Sequence, residues 1–98
     1  FISTGTGIAP FRSMLLSKNF SDNLPASVMC LLGVRDEDEI LYDEEMSKLA
    51  WGNKKLRWVT AVSRPKSDHY KGFRGRVTDY LRSLGQDYPW VDTDYYLC

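Results

Sequence analysis

The stretch FISTGTGIAPFRSMLLS, residues 1–17, passes from one kind of backbone to another within four residues. Phe1-Ile2-Ser3 reads as the end of a strand, and Thr4 to Gly7 as a turn. Ile8, Phe11, Met14 and Leu15 then recur at helical spacing, with Arg12, Ser13 and Ser17 on other faces. Pro10 fits the first helical position, where its missing N–H costs nothing. A strand that runs through glycines into a helix presents free N–H groups and the positive end of the helix dipole to an anion. Gly5 and Gly7 let a phosphate approach the backbone closely, and Thr4 and Thr6 add hydroxyl donors. Pro10 takes the place of the third glycine of a GxGxxG fingerprint. There is no GK[ST] ending either, which disfavours a nucleoside triphosphatase.

Working outward from that turn, Ser21 to Pro25 breaks the first helix. Ser27 to Leu32 is an almost wholly apolar run, as expected for a strand covered on both faces. Gly33-Val34-Arg35-Asp36 follows as a loop. Leu41, Glu45, Met46, Leu49 and Ala50 are spaced as a helix over 41–51, which Gly52-Asn53 ends. Leu56 to Val62 is rich in β-branched and aromatic residues and predicts a second complete strand. Ser63 to Arg74 reads as a long polar loop. Val77, Tyr80, Leu81 and Leu84 form the stripe of a third helix closed by Gly85, and after a loop over 86–94 Tyr95 to Cys98 predicts a strand. The order β-α-β-α-β-α-β predicts an α/β fold, a Rossmann-like doubly wound parallel sheet. Such sheets bind ligands at the carboxyl ends of their strands. The residues expected there are Thr4 to Gly7, Gly33 to Arg35, Ser63-Arg64 and Cys98.

Length and composition narrow the field. Ninety-eight residues allow one domain, and 43% hydrophobic residues can fill a core. No apolar run approaches the roughly 18 residues of a membrane span. Thirteen basic residues balance 13 acidic ones, which argues against a general nucleic-acid or anionic-membrane binder. The balance conceals a split. Residues 36–45 hold seven of the acids, whereas 54–82 hold nine bases against Asp68 and Asp79. A basic patch in a neutral chain suits a small anionic ligand, an acidic partner, or simply a solvated face. Cys30 and Cys98 match no zinc spacing and are too few for a disulfide scaffold, so they fit a reducing, cytoplasmic setting.

Several residues invite a functional reading beside a plainer one. Ser63 with Arg64 and Arg76 would fit a phosphate monoester, because the planar guanidinium donates paired hydrogen bonds; Arg74 reads rather as a surface residue. Tyr70 and Phe73 could stack an adenine but are more commonly packed aromatics. His69, alone in a polar loop, reads as solvent-exposed, and with only Asp68 nearby no metal site is expected. Cys30 reads as buried and inert. Trp51, Trp58 and Trp90 read as core or rim packing, and Asp36 to Glu39 as a solvated acidic loop. Paired carboxylates for hydrolysis are conceivable among residues 36–45, but no acid there has an evident apolar pocket in the sequence to raise its pKa.

Four motifs in order carry a resemblance across essentially all 98 residues. Thr4 to Ser13 resembles the pyrophosphate loop of the ferredoxin–NADP reductase superfamily. Leu32 to Arg35 with Leu41 to Glu45 is similar to the segment after that family's second strand. Ala61 to Arg64 with Gly75 to Val77 resembles its 2′-phosphate region, and Tyr95 to Cys98 its YxCG motif. The resemblance implies the NAD(P)H-binding domain, residues 1–98, of a flavin-dependent reductase whose FAD is held mainly by a domain absent here. It implies hydride passage from NADPH (NAD being possible) to flavin, then electrons to a ferredoxin-like, flavodoxin-like or other redox acceptor. Carried over by position, Thr4, Gly5, Thr6, Gly7 and Pro10 would line the pyrophosphate and nicotinamide side. Arg35 would reach the diphosphate or ribose, and Ser63, Arg64 and Arg76 would hold the 2′-phosphate. Cys98, the implied catalytic residue, would orient the nicotinamide.

A strand end at Phe1 and a bare strand at Cys98 predict a piece truncated at both ends, inactive alone. Two other readings stay open: a nucleotide-binding regulatory module without redox activity, and an α/β domain whose arginines serve an acidic protein.

Overall fold

Residues 28–34 and 56–62 alternate their side chains between two apolar layers, and this positions everything else. The computed structural model describes residues 1–18 and 27–98, so the break expected at Ser21 to Pro25 lies outside the described residues. Along the chain come β1 (Ile2–Thr4), a 3-10 turn (Gly5–Gly7), α1 (Ile8–Leu16) and β2 (Val28–Val34). A second 3-10 turn (Glu37–Glu39), α2 (Asp43–Trp51), β3 (Leu56–Val62), β4 (Phe73–Arg74) and α3 (Val77–Ser83) follow. The sheet is parallel in the order β1-β2-β3-β4.

Cys30, Leu32 and Val34 of β2, with Leu56 and Val62 of β3, meet Ile8, Phe11 and Leu15 of α1 and Met46 of α2 on one face. Leu31 and Ala61 meet Tyr80 of α3 on the other. The faces follow from handedness. Right-handed crossovers stepping β1 to β2 to β3 keep their helices on one side, and the return path carries α3 on the opposite side. Cys30 is fully buried, and burial pushes its thiol up to about 11, so it stays a neutral packing group.

The return ends beyond β1. Ile2 N–H donates to Tyr96 O at 2.8 Å, Cys98 N–H to Ile2 O at 2.9 Å and Thr4 N–H to Cys98 O at 3.3 Å. Tyr95 to Cys98 thus pairs with β1 through a single parallel bridge, Ile2 with Leu97, rather than as a full strand. Strand order reverses at β1, which makes the sheet doubly wound.

Five local expectations are corrected. Gly33 and Val34 continue β2 rather than open the loop, because they pair with Ala61 and Val62 of β3. Pro10 is the third residue of α1, not the first; its missing N–H still falls among the four that no helix can satisfy. The second helix begins at Asp43 rather than Leu41, because Tyr42 takes the left-handed conformation, φ 60° and ψ 23°. The polar loop after β3 contains β4, whose Phe73 packs edge-on against Tyr80, 5.2 Å between ring centroids. Trp51 packs nowhere and is 93% exposed, unlike Trp58, whose Nε1 donates to Asp43 at 2.8 Å, and Trp90, whose Nε1 donates to Gly85 O at 2.8 Å.

Candidate functional site

The register decides what shares the carboxyl rim of the sheet. Thr4 lies opposite Gly33, Gly33 opposite Ala61, and Val62 opposite Arg74. Every segment leaving these strands therefore leaves at one height. Ser63 N–H donates to Val34 O at 3.1 Å and Arg64 N–H to Arg35 O at 2.7 Å, which prolongs the pairing of β2 and β3 beyond the strands themselves. Gly75 N–H donates to Val62 O at 2.8 Å and brings Arg76 to the same edge, at the start of α3.

A cleft of about 760 Å³ opens along this rim. Thr4, Gly5, Arg35, Ser63, Arg64 and Arg76 all line it. Its floor depends on Gly33, where an added Cβ would stand 2.7 Å from Val77 Cγ1; glycine lets α3 close down on the sheet. Gly5 has φ +53° and nothing within 4 Å of where a Cβ would project, so its backbone faces open space.

The remaining sequence-predicted residues lie beside the cleft. Gly7 meets Cys98: a Cβ on Gly7 would stand 2.7 Å from Cys98 O, so a side chain at position 7 would displace the terminal segment. Cys98 is exposed at this junction. Thr6 and Pro10 are exposed on the 3-10 turn and the first turn of α1, outside the cleft lining.

Ion pairing separates the arginines sharply. Arg12 pairs with Glu45 and Arg82 with Asp79, Arg57 donates to the Tyr80 hydroxyl, and Arg74 donates to the carbonyls of Ser67 and Tyr70. The Arg35, Arg64 and Arg76 side chains have no carboxylate within 4 Å among the described residues. All three line the cleft. Three unpaired arginines against one lining carboxylate, Glu39, leave the cleft net positive, which favours an anion. A second hollow, about 570 Å³ beside Tyr42, Glu44 and Lys48, lacks this character: its lysine is paired with Glu44 at 3.1 Å and its other charges are acidic.

A family model described as an oxidoreductase NAD-binding domain matches residues 1–98. The chain belongs to this family. With it the chain joins the ferredoxin–NADP reductase superfamily, whose motifs it carries in order. "Ferredoxin--NADP reductase B" of Sorangium cellulosum (strain So ce56) is 34% identical over 94 residues, covering 96% of this chain and 38% of that protein. A component of the Na(+)-translocating NADH-quinone reductase of Yersinia pestis is 29% identical over 101 residues, covering 100% of this chain and 25% of that protein. The chain thus spans well under half the length of these curated relatives. Among solved structures, the cytochrome b5 reductase domain of Ulva prolifera nitrate reductase superimposes with TM-score 0.64 at 25% identity, over 76% of this chain and 28% of that one. The CS-b5R domains of human Ncb5or, in an NAD+ form, share the fold at TM-score 0.71 and 23% identity, over 97% of this chain and 25% of that one. The chain is an oxidoreductase NAD-binding domain, and among the described residues no helix is long and apolar enough to cross a membrane.

Some features of the rim escaped the sequence. Glu39, Val77 and Thr78 also line the cleft. Glu37 accepts from the backbone N–H groups of Lys66 at 2.6 Å and Ser67 at 3.2 Å, so the acidic turn ties down the next loop instead of standing free in solvent. Those N–H donors, Lys66 foremost, hold the Glu37 carboxyl below the usual range. Tyr70 is packed rather than offered as a platform: its hydroxyl donates to Thr60 O at 2.8 Å. An acidic run followed some 30 residues later by a polar loop was the available signal, but neither stretch names its partner.

Proposed function

We propose that this chain is the NADPH-binding half of an FAD-dependent reductase. The observation that carries the reading is the convergence of Arg35, Arg64 and Arg76, the three arginines without partners among the described residues, on one cleft with the Gly5 backbone. That donor set fits a phosphorylated dinucleotide: open backbone at one end, unneutralised guanidinium groups at the other. Gly5, Thr6 and Gly7 at the start of α1 would receive the diphosphate, with Thr4 beside them. Arg35 would reach the diphosphate or ribose. Ser63, Arg64 and Arg76 would hold the 2′-phosphate, which favours NADPH over NADH. Pro10 and Cys98 would flank the nicotinamide, with the Cys98 side chain orienting the ring. When bound, the nicotinamide would supply a hydride to FAD, held mainly by a separate domain, from which electrons would leave one at a time to a ferredoxin-like, flavodoxin-like or other redox acceptor. The contribution of these residues is binding, orientation and electrostatics.

Cofactor-dependent melting of the intact protein tests this. A ligand at 100 times its Kd adds about 2.7 kcal/mol of apparent stability. NADP⁺ and 2′-phospho-AMP are expected to raise the melting temperature clearly more than NAD⁺ at equal concentration. Equal shifts would overturn the 2′-phosphate assignment, and no shift with any nucleotide would overturn the reading as a whole.

A further inference from the structure

We infer that Glu37 is a positioning residue for the anion cleft, fixing the spacing of Arg35 and Arg64 by clasping the loop after β3 through its backbone. The inference rests on the function proposed above and deepens it. Arg35 and Arg64 stand on loops that leave neighbouring strands, and each side chain is exposed with no carboxylate partner among the described residues. Side-chain entropy and like-charge repulsion would spread two such cations apart. The backbone must therefore hold them together.

It does so with a continuous set of bonds. Val34 O and Arg35 O accept from Ser63 N–H and Arg64 N–H. Two residues further along each loop, the two Glu37 carboxylate oxygens accept separately, Oε1 from Lys66 N–H and Oε2 from Ser67 N–H. Both oxygens of one carboxylate are thus committed to consecutive amides, a fork that a neutral amide side chain cannot reproduce, since it has one acceptor and one donor. The clasp is further anchored at both ends. Asp36 Oδ1 accepts from Asp38 N–H at 3.0 Å and shapes the 3-10 turn that presents Glu37. On the other side, Arg74 Nη2 donates to Ser67 O at 3.1 Å. Lys66 Nζ lies 3.2 Å from Asp38, an exposed pair that contributes little.

Releasing Glu37 keeps the Arg64 N–H to Arg35 O bond but frees the loops beyond it, so the two side chains sample wider spacings. If the competent spacing falls to about a tenth of the population, apparent affinity falls by the same factor, about tenfold. Gly7 and Cys98, beside the cleft on the proposed nicotinamide side, share no hydrogen-bond partner with this clasp among the described residues, since Cys98 bonds Ile2 and Thr4 whereas Glu37 bonds Lys66 and Ser67.

The test uses the intact protein, with 2′-phospho-AMP binding and steady-state kinetics on NADPH and NADH. Glu37→Ala is expected to weaken 2′-phospho-AMP and raise KM for NADPH about tenfold with kcat unchanged, the signature of lost ground-state binding. NADH kinetics should change much less. Glu37→Gln, which keeps one acceptor and the side-chain volume, should fall between wild type and Glu37→Ala. Lys66→Ala, which keeps the backbone N–H, should remain close to wild type. Wild-type affinity in Glu37→Gln, or an equal loss in Lys66→Ala, overturns the assignment to the carboxylate fork. So does a Glu37→Ala defect confined to kcat. Failure of the wild-type protein to bind 2′-phospho-AMP at all would instead sink the NADPH reading, and this inference with it.

Discussion

Arg12, in the middle of α1, and Arg64, just beyond β3, carry the same guanidinium, yet the molecule treats them oppositely. Arg12 bridges α1 and α2: its Nη2 donates to Glu45 Oε2 at 3.0 Å, and its guanidinium carbon stands 4.7 Å over the Tyr42 ring. Its Nε lies 2.8 Å from Glu45 Oε1 but outside hydrogen-bond geometry, so the contact there is Coulombic. Arg64 has its backbone clamped to Arg35 and its side chain left without an anion among the described residues. The difference teaches how a neutral chain can carry a cationic cleft. Carboxylates neutralise cations that hold helices together, while Glu37 and Asp36 beside the rim accept from backbone amides. Glu37 is the clearest case, because its charge is consumed by Lys66 and Ser67 N–H rather than by Arg35 two residues away.

The contrast can be broken from either side. Arg64→Ala should reduce affinity for the 2′-phosphorylated cofactor by about 10–100-fold, the range for losing hydrogen bonds to a charged group, and leave the melting temperature nearly unchanged. Titration calorimetry and thermal melting of the intact protein measure the two halves of that expectation. A stability loss with intact binding would mean that Arg64 is a structural residue like Arg12.

Gly33→Ala attacks the floor between the two regions. A methyl placed 2.7 Å from Val77 Cγ1 must push α3 outward, at a cost of about 1–3 kcal/mol by chemical denaturation. Because Arg76 begins α3, nucleotide affinity should fall with it. Full affinity in a destabilised Gly33→Ala protein would detach Arg76 from the cleft.

Arg12→Ala should lower the melting temperature by a small amount and leave nucleotide affinity untouched, the mirror image of Arg64→Ala. The smallest effect is expected from acid. The Glu37 carboxyl is held low in the folded state, so its contribution is fully present above the unfolded value of about 4.3 and is lost as pH falls through the lower folded value. Protection of the Lys66 and Ser67 amides, measured as exchange relative to the intrinsic rate at each pH, should therefore fall as the carboxyl is protonated in acid and stay constant between about pH 5 and 8. Exchange at the intrinsic rate already at neutral pH would show that the clasp is open in solution.

Much of this was legible from residues 1–98 taken in order. Period and punctuation are local properties. The apolar run of β2, the β-branched run of β3, the helical stripes and the glycine turn after β1 each declare themselves within a dozen neighbours. The alternation of strand and helix then leaves few topologies, and the carboxyl-end rule brings Thr4, Arg35, Ser63 and Arg64 to one rim before any coordinate is known. Tertiary structure decided what depends on partners far away in the chain. It settled that Arg12 is neutralised by Glu45, 33 positions on, and that Glu37 spends its carboxylate on amides about 30 positions on. It brought Cys98 against Gly7 and Val77 against Gly33, and it made a strand of Phe73-Arg74, too short to show a period. A charge or a glycine has a type in sequence, but whether it is spent or free is set by which atoms reach it across the fold.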